Sequence, residues 1–143
     1  MSARYNVLVV DDEVKMQRIL EIMLRDMQLD VVRADHGKAA LEVVAREAVD
    51  LIITDMRMPV MDGIALVKAL HDAGQTTPVI VITAHGTIES AVTAMKYGAV
   101  DYIMRPFEVE TVELAVKRAL SLGQIRRENR FLRETLAEDW PAF

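Results

Sequence analysis

The sequence of 143 residues contains no cysteine, which excludes disulfide bonds, cysteine nucleophiles and cysteine-ligated metal sites. It also lacks a Gly/Ser-rich linker or any low-complexity segment. The apolar run in the amino-terminal stretch MSARYNVLVVDDE is too short for a signal peptide or a membrane span. We therefore expect a protein of the reducing cytoplasm that has no membrane partner.

The sequence also has no excess of positive charge. Its formal net charge is −5, which argues against a general nucleic-acid-binding surface. Hydrophobic residues make up 52% of the chain and charged residues 27%, as in an ordinary globular protein. The length is sufficient for one domain with a substantial core.

Short apolar runs alternate regularly with segments of helical periodicity. The runs predict five strands, at residues 5–10, 30–34, 50–54, 78–83 and 101–104. The periodic segments predict helices at roughly 14–27, 37–48, 64–73 and 87–97, and a fifth from about 108 onward. This alternation indicates an α/β fold, a doubly wound parallel sheet of five strands in the order 2-1-3-4-5.

Charged and hydroxyl residues follow the predicted strands at their carboxyl ends. Asp11 and Asp12 follow strand 1, Asp55 follows strand 3, Thr83 ends strand 4 and Arg105 follows strand 5. Ligands of such sheets bind at this edge, where the winding reverses between strands 1 and 3. The three acids should therefore converge, and their like charges should raise their pKa values or recruit a cation.

A cluster of carboxylates without histidine or cysteine suits Mg²⁺. A carboxylate beside Mg²⁺ can act as a nucleophile towards phosphorus and form an aspartyl phosphate. Thr83 and Arg105 would then share the phosphoryl oxygens with the metal. A cation buried at a strand end needs an anion, and we expect Asp55 to be the anion that Arg105 meets.

Four motifs resemble those of the response-regulator receiver domains of two-component signalling. They are VVDDE (9–13), DLIITDMRMPVMDG (50–63), VIVITAHG (79–86) and GAVDYIMRPF (98–107), within a similarity that covers about residues 5–122. The resemblance implies a flavodoxin/receiver-like fold. It also implies a protein that is not an enzyme, apart from catalysing its own Mg²⁺-dependent phosphorylation and dephosphorylation.

The resemblance also assigns roles to individual residues. It implies that Asp55 accepts a phosphoryl group from a sensor histidine kinase. It implies that Asp12, Asp55 and the main-chain carbonyl of Arg57 hold Mg²⁺, with help from Asp11. Thr83 and Tyr102 would form the conformational switch that responds to phosphorylation.

One residue departs from the family pattern, because Arg105 stands where the family has lysine. Arginine keeps the positive charge but is longer, planar and forked, so it can pair bidentately with a carboxylate such as Asp55. Normal signal transmission could therefore be altered at this position. The family also has a cis peptide before the following proline, so we expect one between Arg105 and Pro106.

The residues after 122 extend beyond a receiver domain and predict a coiled coil. Apolar and Asn residues recur at spacings of 3 and 4, at Leu122, Ile125, Asn129, Leu132 and Leu136. A single Asn at a core position favours a parallel two-stranded coil in fixed register. We therefore predict a receiver domain at 1–122, a helical coiled-coil linker at 123–140, and a homodimer through helix 5 and this linker.

The extension also contains four arginines, at positions 126, 127, 130 and 133. They interleave with Glu128, Glu134 and Glu138, so we interpret them as the solvated flank of a coil and not as a nucleic-acid stripe.

The stretch ITAHGTIESAVTAMKYGAVDYIMRPF, with IRRENRFLRE after it, resembles one subset of the family. This subset is the nitrogen-regulation type of sigma-54-dependent transcriptional activator, in which an ATPase and a DNA-binding domain follow the receiver and linker. The chain contains no phosphate-binding G-x-x-x-x-G-K motif. It is therefore expected to be a receiver-plus-linker fragment, in which any DNA contact would depend on absent output domains.

Three other functions remain open from the sequence. A haloacid-dehalogenase-type phosphatase also uses a strand-end aspartate, but it needs Asp-x-Asp, whereas Asp11 and Asp12 are adjacent and should point to opposite faces. A flavodoxin-like FMN carrier needs hydroxyl and glycine donors after strand 1, where this chain has acids. A receiver-like dimerisation domain that no longer responds to phosphate is the alternative that Arg105 raises.

Overall fold

A computed structural model describes residues 4–58, 60–84 and 86–139 of the chain, with side chains described as far as Glu128. The elements in chain order are β1 (Asn6–Val10), α1 (Val14–Asp26), β2 (Asp30–Ala34), α2 (Gly37–Arg46), β3 (Leu51–Thr54), α3 (Gly63–Asp72), β4 (Val79–Thr83), α4 (Ile88–Lys96), β5 (Ala99–Met104) and α5 (Val109–Asp139). Over these described ranges, no helix has both the length and the hydrophobicity needed to cross a bilayer.

The five strands form one parallel sheet in the order β2-β1-β3-β4-β5, which confirms the predicted fold. The register aligns the carboxyl ends of the central strands, because Val10 lies beside both Ala34 and Thr54. The main-chain N–H of Asp55 then donates to the carbonyl of Val10 at 2.9 Å. This ladder brings the acids that follow β1 and β3 to neighbouring positions on one edge.

The sheet is buried on both faces, as its continuous apolar strands predict. One face packs against α2, α3 and α4, and its core includes Leu8, Ile52 and Leu66. The other face packs against α1 and α5, and its core includes Ile53 and Val116. Because helices hold the central strands from both sides, the site at the strand ends is built on a rigid support.

Most predicted boundaries lie within two residues of the observed ones, and β5 shows why some differ. This strand begins at Ala99, two residues earlier than predicted. Gly98 adopts φ +109°, which only glycine tolerates readily, and so the chain turns out of α4 directly into the strand. The expected cis peptide between Arg105 and Pro106 is present.

Helix α5 runs without a break through the predicted domain boundary at residue 122. Gly123 is buried, and a Cβ there would lie 3.1 Å from the ring of Pro78, which precedes β4. Arg127 Nη1 pairs with Asp50 Oδ1 at 2.7 Å, and Arg126 Nη1 donates to the carbonyl of Thr76 at 3.4 Å. These contacts anchor the start of the extension on the amino edge of the sheet.

The anchoring contacts correct one interpretation from the sequence. Arg126 and Arg127 do not only face solvent, because both also contact the receiver, although Arg127 stays half exposed. The alternation of charges could not reveal this, since their partners are distant in sequence. The side chains of Asn129, Leu132 and Leu136, on which the heptad prediction depends, lie outside the described residues.

We predict that Arg127→Gln loosens the first turns of the extension. Asp50 is mostly buried whereas Arg127 is half exposed, so the loss of global stability should stay below about 1 kcal/mol. Amide hydrogen exchange at residues 120–128 should become faster. The control is Lys117→Gln, which removes an exposed cation from the same helix. Equal effects of the two substitutions would contradict a specific anchor.

Candidate functional site

Three carboxylates converge at the carboxyl edge of the sheet. Oxygen atoms of Asp11, Asp12 and Asp55 all lie within 4.8 Å of one another. Asp11 is buried, Asp55 is partly buried and Asp12 is exposed. The expectation that adjacent Asp11 and Asp12 point to opposite faces is wrong, because β1 ends at Val10 and strand alternation stops there.

Main-chain groups hold the two less exposed acids in place. The N–H of Glu13 donates to Asp11 Oδ1 at 2.9 Å, and the N–H of Met56 donates to Asp55 Oδ1 at 2.8 Å. Gly63, which begins α3, packs so closely on Asp55 that any Cβ would overlap the main-chain carbonyl of Asp55. A side chain at position 63 would therefore displace the loop that carries this acid.

Arg105 reaches further into the cluster than expected. Its Nη2 lies 3.0 Å from Asp11 Oδ2, 3.6 Å from Asp55 Oδ1, and its Nη1 lies 4.0 Å from Glu13 Oε2. The predicted contact with Asp55 is present, but the nearest anion is Asp11, which was not predicted as a partner of Arg105. Arg105 directly follows β5, and its side chain reaches past the ends of the neighbouring strands to the residue after β1, which the length of arginine allows.

Burial dominates the electrostatics of the cluster. It raises the pKa of Asp11 to about 6, against the opposing effect of the Glu13 N–H, and the charge of Asp55 adds to the rise. Burial also raises the pKa of Asp55, and the guanidinium of Arg105 is the largest influence that lowers it. The predicted like-charge effect is therefore present but smaller than the effect of burial.

Thr83 contacts the acid cluster, and Tyr102 contacts α4. Thr83 is fully buried, and a hydrogen bond with its side chain lowers the pKa of Asp55. The Tyr102 hydroxyl lies 2.9 Å from Ser90 Oγ and 3.9 Å from Met56 Sδ. Because Met56 follows Asp55 and Ser90 belongs to the first turn of α4, Tyr102 spans the distance between the acid cluster and that helix.

The set of residues fits Mg²⁺, which prefers oxygen ligands and tolerates retained waters. The cluster offers three carboxylate oxygens and neither histidine nor cysteine. Arg57 lies two residues after Asp55 in the same loop, and its carbonyl as a ligand stays a prediction. The histidines take other roles, since His36 caps α2 through Nδ1 and His71 packs edge-on against Tyr97, while His85 lies outside the described residues.

Two residues near the site were missed by the sequence analysis. Ser90 gave no signal, because its contact with Tyr102 depends on how α4 packs on β5. Gln17 did give a signal, because it lies three and seven residues before Leu20 and Leu24, at the spacing that places it on their apolar face of α1.

The model of the response regulator receiver domain family matches residues 7–117. The chain therefore belongs to this family, and the resemblance inferred from its motifs is confirmed. Receiver domains of this family interact with histidine kinases, generally use Mg²⁺ at an acidic pocket, and are not enzymes in the usual sense.

Its curated relatives include proteins that are named as regulatory proteins and response regulators. The chain is 36% identical over 140 residues to the regulatory protein AtoC of Escherichia coli K12, covering 98% of this chain and 30% of AtoC. It is 40% identical over 120 residues to the response regulator protein PilR of Pseudomonas aeruginosa, covering 84% of this chain and 27% of PilR. The chain thus spans less than a third of the length of these relatives.

Solved structures show the same fold. The signal receiver domain of the putative Luxo repressor protein from Vibrio parahaemolyticus has a TM-score of 0.83 at 26% identity, over 87% of this chain and 96% of that one. NtrX from Brucella abortus in complex with ADP has a TM-score of 0.82 at 32% identity, over 91% of this chain and 30% of that one.

The raised pKa of Asp11 predicts that Mg²⁺ binding depends on pH. Affinity should rise with pH up to about pH 6 and then level off, because an ion that binds must displace the proton of Asp11, and the raised pKa of Asp55 steepens the rise at lower pH. Titration calorimetry in buffers of different ionisation enthalpy would count that proton. The control is Asp11→Asn, which should weaken binding overall and make the pH profile shallower, and an unchanged slope in that variant would contradict the assignment.

The raised pKa of Asp11 also makes the free energy of unfolding of the metal-free protein depend on pH. The folded-state pKa of Asp11 lies above its ordinary value of 3.8, so protonation favours the folded form. Stability from this group is therefore lost as pH rises from about 4 through about 6. Thermal unfolding of the metal-free protein should show this loss, and Mg²⁺ should offset it above pH 6.

Proposed function

We propose that this chain is a phosphorylation-controlled receiver that accepts a phosphoryl group on Asp55 from a sensor histidine kinase in the cytoplasm. The observation that carries the proposal is the convergence on Asp55 of an acid cluster, a buried hydroxyl and a cation. The side chain of Asp55 is only 10% exposed. Its Oδ1 lies 3.6 Å from Arg105 Nη2, and it shares a hydrogen bond with the Thr83 side chain. This combination suits Asp55 as a nucleophile, because hydrogen-bond donors on several sides would hold its phosphorylated form.

In the proposed reaction, a carboxylate oxygen of Asp55 attacks the phosphorus of a phosphohistidine. An O–P bond forms, the P–N bond breaks, and the imidazole leaves. Asp55 must be ionised to attack, and Arg105 favours that ionisation against the effect of burial. Apart from catalysing this transfer and the later hydrolysis, the chain has no catalytic role in the proposal.

The proposed metal ligands are carboxylates of Asp11, Asp12 and Asp55 and the main-chain carbonyl of Arg57. When bound there, Mg²⁺ supplies positive charge to the phosphoryl oxygens. Arg105 shares this task from β5 through its guanidinium donors, and the Thr83 hydroxyl donates to another oxygen. Because Arg105 already contacts Asp11 and Asp55, it needs little rearrangement to reach a phosphoryl group on Asp55.

The proposed switch consists of Thr83 and Tyr102. A phosphoryl group on Asp55 would draw the Thr83 hydroxyl towards it, and the neighbouring aromatic ring would respond. Since the Tyr102 hydroxyl contacts Ser90, a shift of the ring changes the first turn of α4. The surface formed by α4, β5 and α5 would then carry the signal.

A homodimer through α5 is supported by the arrangement of its two faces. Ala119 and Gly123 pack on the sheet, whereas Leu114 and Ile125 are 54% and 51% exposed. At 3.6 residues per turn, the exposed pair lies about 150° around the helix from the docked pair, on the nearly opposite side. A second copy can therefore pack along α5 and into the linker coil without displacing the contact of Ala119 and Gly123 with the sheet.

The proposed output is sigma-54-dependent transcription, with DNA bound by other domains.

We predict that Asp55→Asn abolishes phosphoryl uptake from acetyl phosphate with Mg²⁺, as measured by intact-protein mass spectrometry. Asparagine keeps the shape of the side chain but is a far weaker nucleophile than the carboxylate. The control is Asp62→Asn, because the exposed Asp62 caps α3 and its replacement keeps the capping oxygen. Uptake by the Asp55 variant equal to that of the unaltered chain would refute the proposed acceptor.

We further predict that beryllofluoride with Mg²⁺, which mimics the phosphoryl group, changes the mass measured by light scattering. Asp55→Asn should abolish the change. Arg105→Lys should retain it, since lysine keeps the charge at the same strand end. A change seen in Arg105→Lys but not in the unaltered chain would show that Arg105 separates the site from dimerisation.

A further inference from the structure

Gln17 is a buried polar side chain that the proposed chemistry does not use. It is 3% exposed and lies on the inner face of α1 beside Leu20 and Leu24. An amide in this position is costly unless its polar atoms are hydrogen-bonded. Its contacts therefore have to compensate for the burial.

Two hydrogen bonds of the Gln17 side-chain amide lead to the strand ends around the acid cluster. Its Nε2 donates to the main-chain carbonyl of Asp11 at 2.5 Å and to Asp35 Oδ1 at 2.9 Å. Asp11 follows β1 and Asp35 follows β2, so one amide ties both strand ends to α1. The partners are a carbonyl and a carboxylate, which only accept, and so the position requires a double donor.

The bond to the Asp11 carbonyl acts on the peptide between Asp11 and Asp12. A carbonyl that is held in direction fixes the plane of its peptide group, because that group is rigid. The Asp12 side chain leaves the backbone from the far end of this plane. Asp12 is exposed, whereas the Asp11 carboxylate is already held by the N–H of Glu13.

We propose that Gln17 is a positioning residue for the metal-binding acids, which orients the Asp11–Asp12 peptide so that the Asp12 carboxylate faces Asp11 and Asp55. This inference rests on the proposed magnesium site. Hydrogen-bond partners behind metal ligands commonly change metal affinity by 10- to 100-fold when they are removed. Gln17 is such a hydrogen-bond partner for Asp12, a proposed ligand that is exposed at the surface.

The test is the affinity for Mg²⁺ alone, measured by titration calorimetry at pH 7.5 on the full chain. Gln17→Met keeps the length and removes both donated bonds, and it should weaken binding by about tenfold or more. Asp35→Asn keeps an acceptor oxygen for Gln17 and should change affinity by less than about threefold, a small part of that range. Thermal unfolding of each variant would show how much stability is lost.

Gln17→Met could weaken Mg²⁺ binding by destabilising α1 or by misdirecting the Asp12 carboxylate, and a further variant separates these two causes. Leu24→Ala removes core packing from the same face of α1, away from the acids, and should lower stability while leaving Mg²⁺ affinity unchanged. Weakening by Leu24→Ala as strong as that by Gln17→Met would overturn the inference. So would equal weakening by Asp35→Asn, because the charge of Asp35 would then be the cause.

The proposed function and this inference fail differently. If the unaltered chain binds no Mg²⁺, the proposed magnesium site is wrong and the role of Gln17 fails with it. If the unaltered chain binds Mg²⁺ and Gln17→Met binds it equally well, only the role of Gln17 is wrong.

Discussion

The burial of two carboxylates beside one guanidinium is the constraint on which the site depends. Asp11 and Asp55 follow adjacent strands, and Arg105 closes the group from β5 with contacts to both. Burial raises the pKa of each acid, and the charge of the shared cation lowers it. The result is a compact site that presents oxygen atoms to which a metal can bind.

The exchange of lysine for arginine changes how this balance is achieved. The guanidinium reaches across to β1 and makes Asp11 its nearest partner. Its Nε is buried without a hydrogen-bond partner among the described residues, which is a cost that a single ammonium would not carry. The gain is a forked donor, because two nitrogens can face different anions at once.

The opposite end of the sheet carries a second set of contacts that matter for output. Asp50 accepts the N–H of Asn6 at 2.8 Å and pairs with Arg127 at 2.7 Å, so it joins the start of β1 to α5. The helix that leaves the receiver is therefore fixed in direction where it starts. In the proposed dimer, a change at the carboxyl edge of the rigid sheet would reorient the second copy without loosening this helix.

Sequence by itself determined the fold and most of the site. Continuous apolar strands, helical periodicity and right-handed crossovers permit few topologies, and the acids at strand ends identify the edge where a ligand binds. Asp11, Asp12, Asp55, Thr83 and Arg105 were all placed there by their positions after strands. These signals are local, so each can be read from a few neighbouring residues.

Tertiary structure alone decided which partners those residues take. The choice of Asp11 over Asp55 by Arg105, the anchoring of Arg127 on Asp50 and the contact of Tyr102 with Ser90 join residues far apart in sequence. Side-chain reach and burial determine such pairs, and both depend on how the helices pack on the sheet. A sequence pattern states which groups meet at an edge, whereas their distances there follow only from the packed fold.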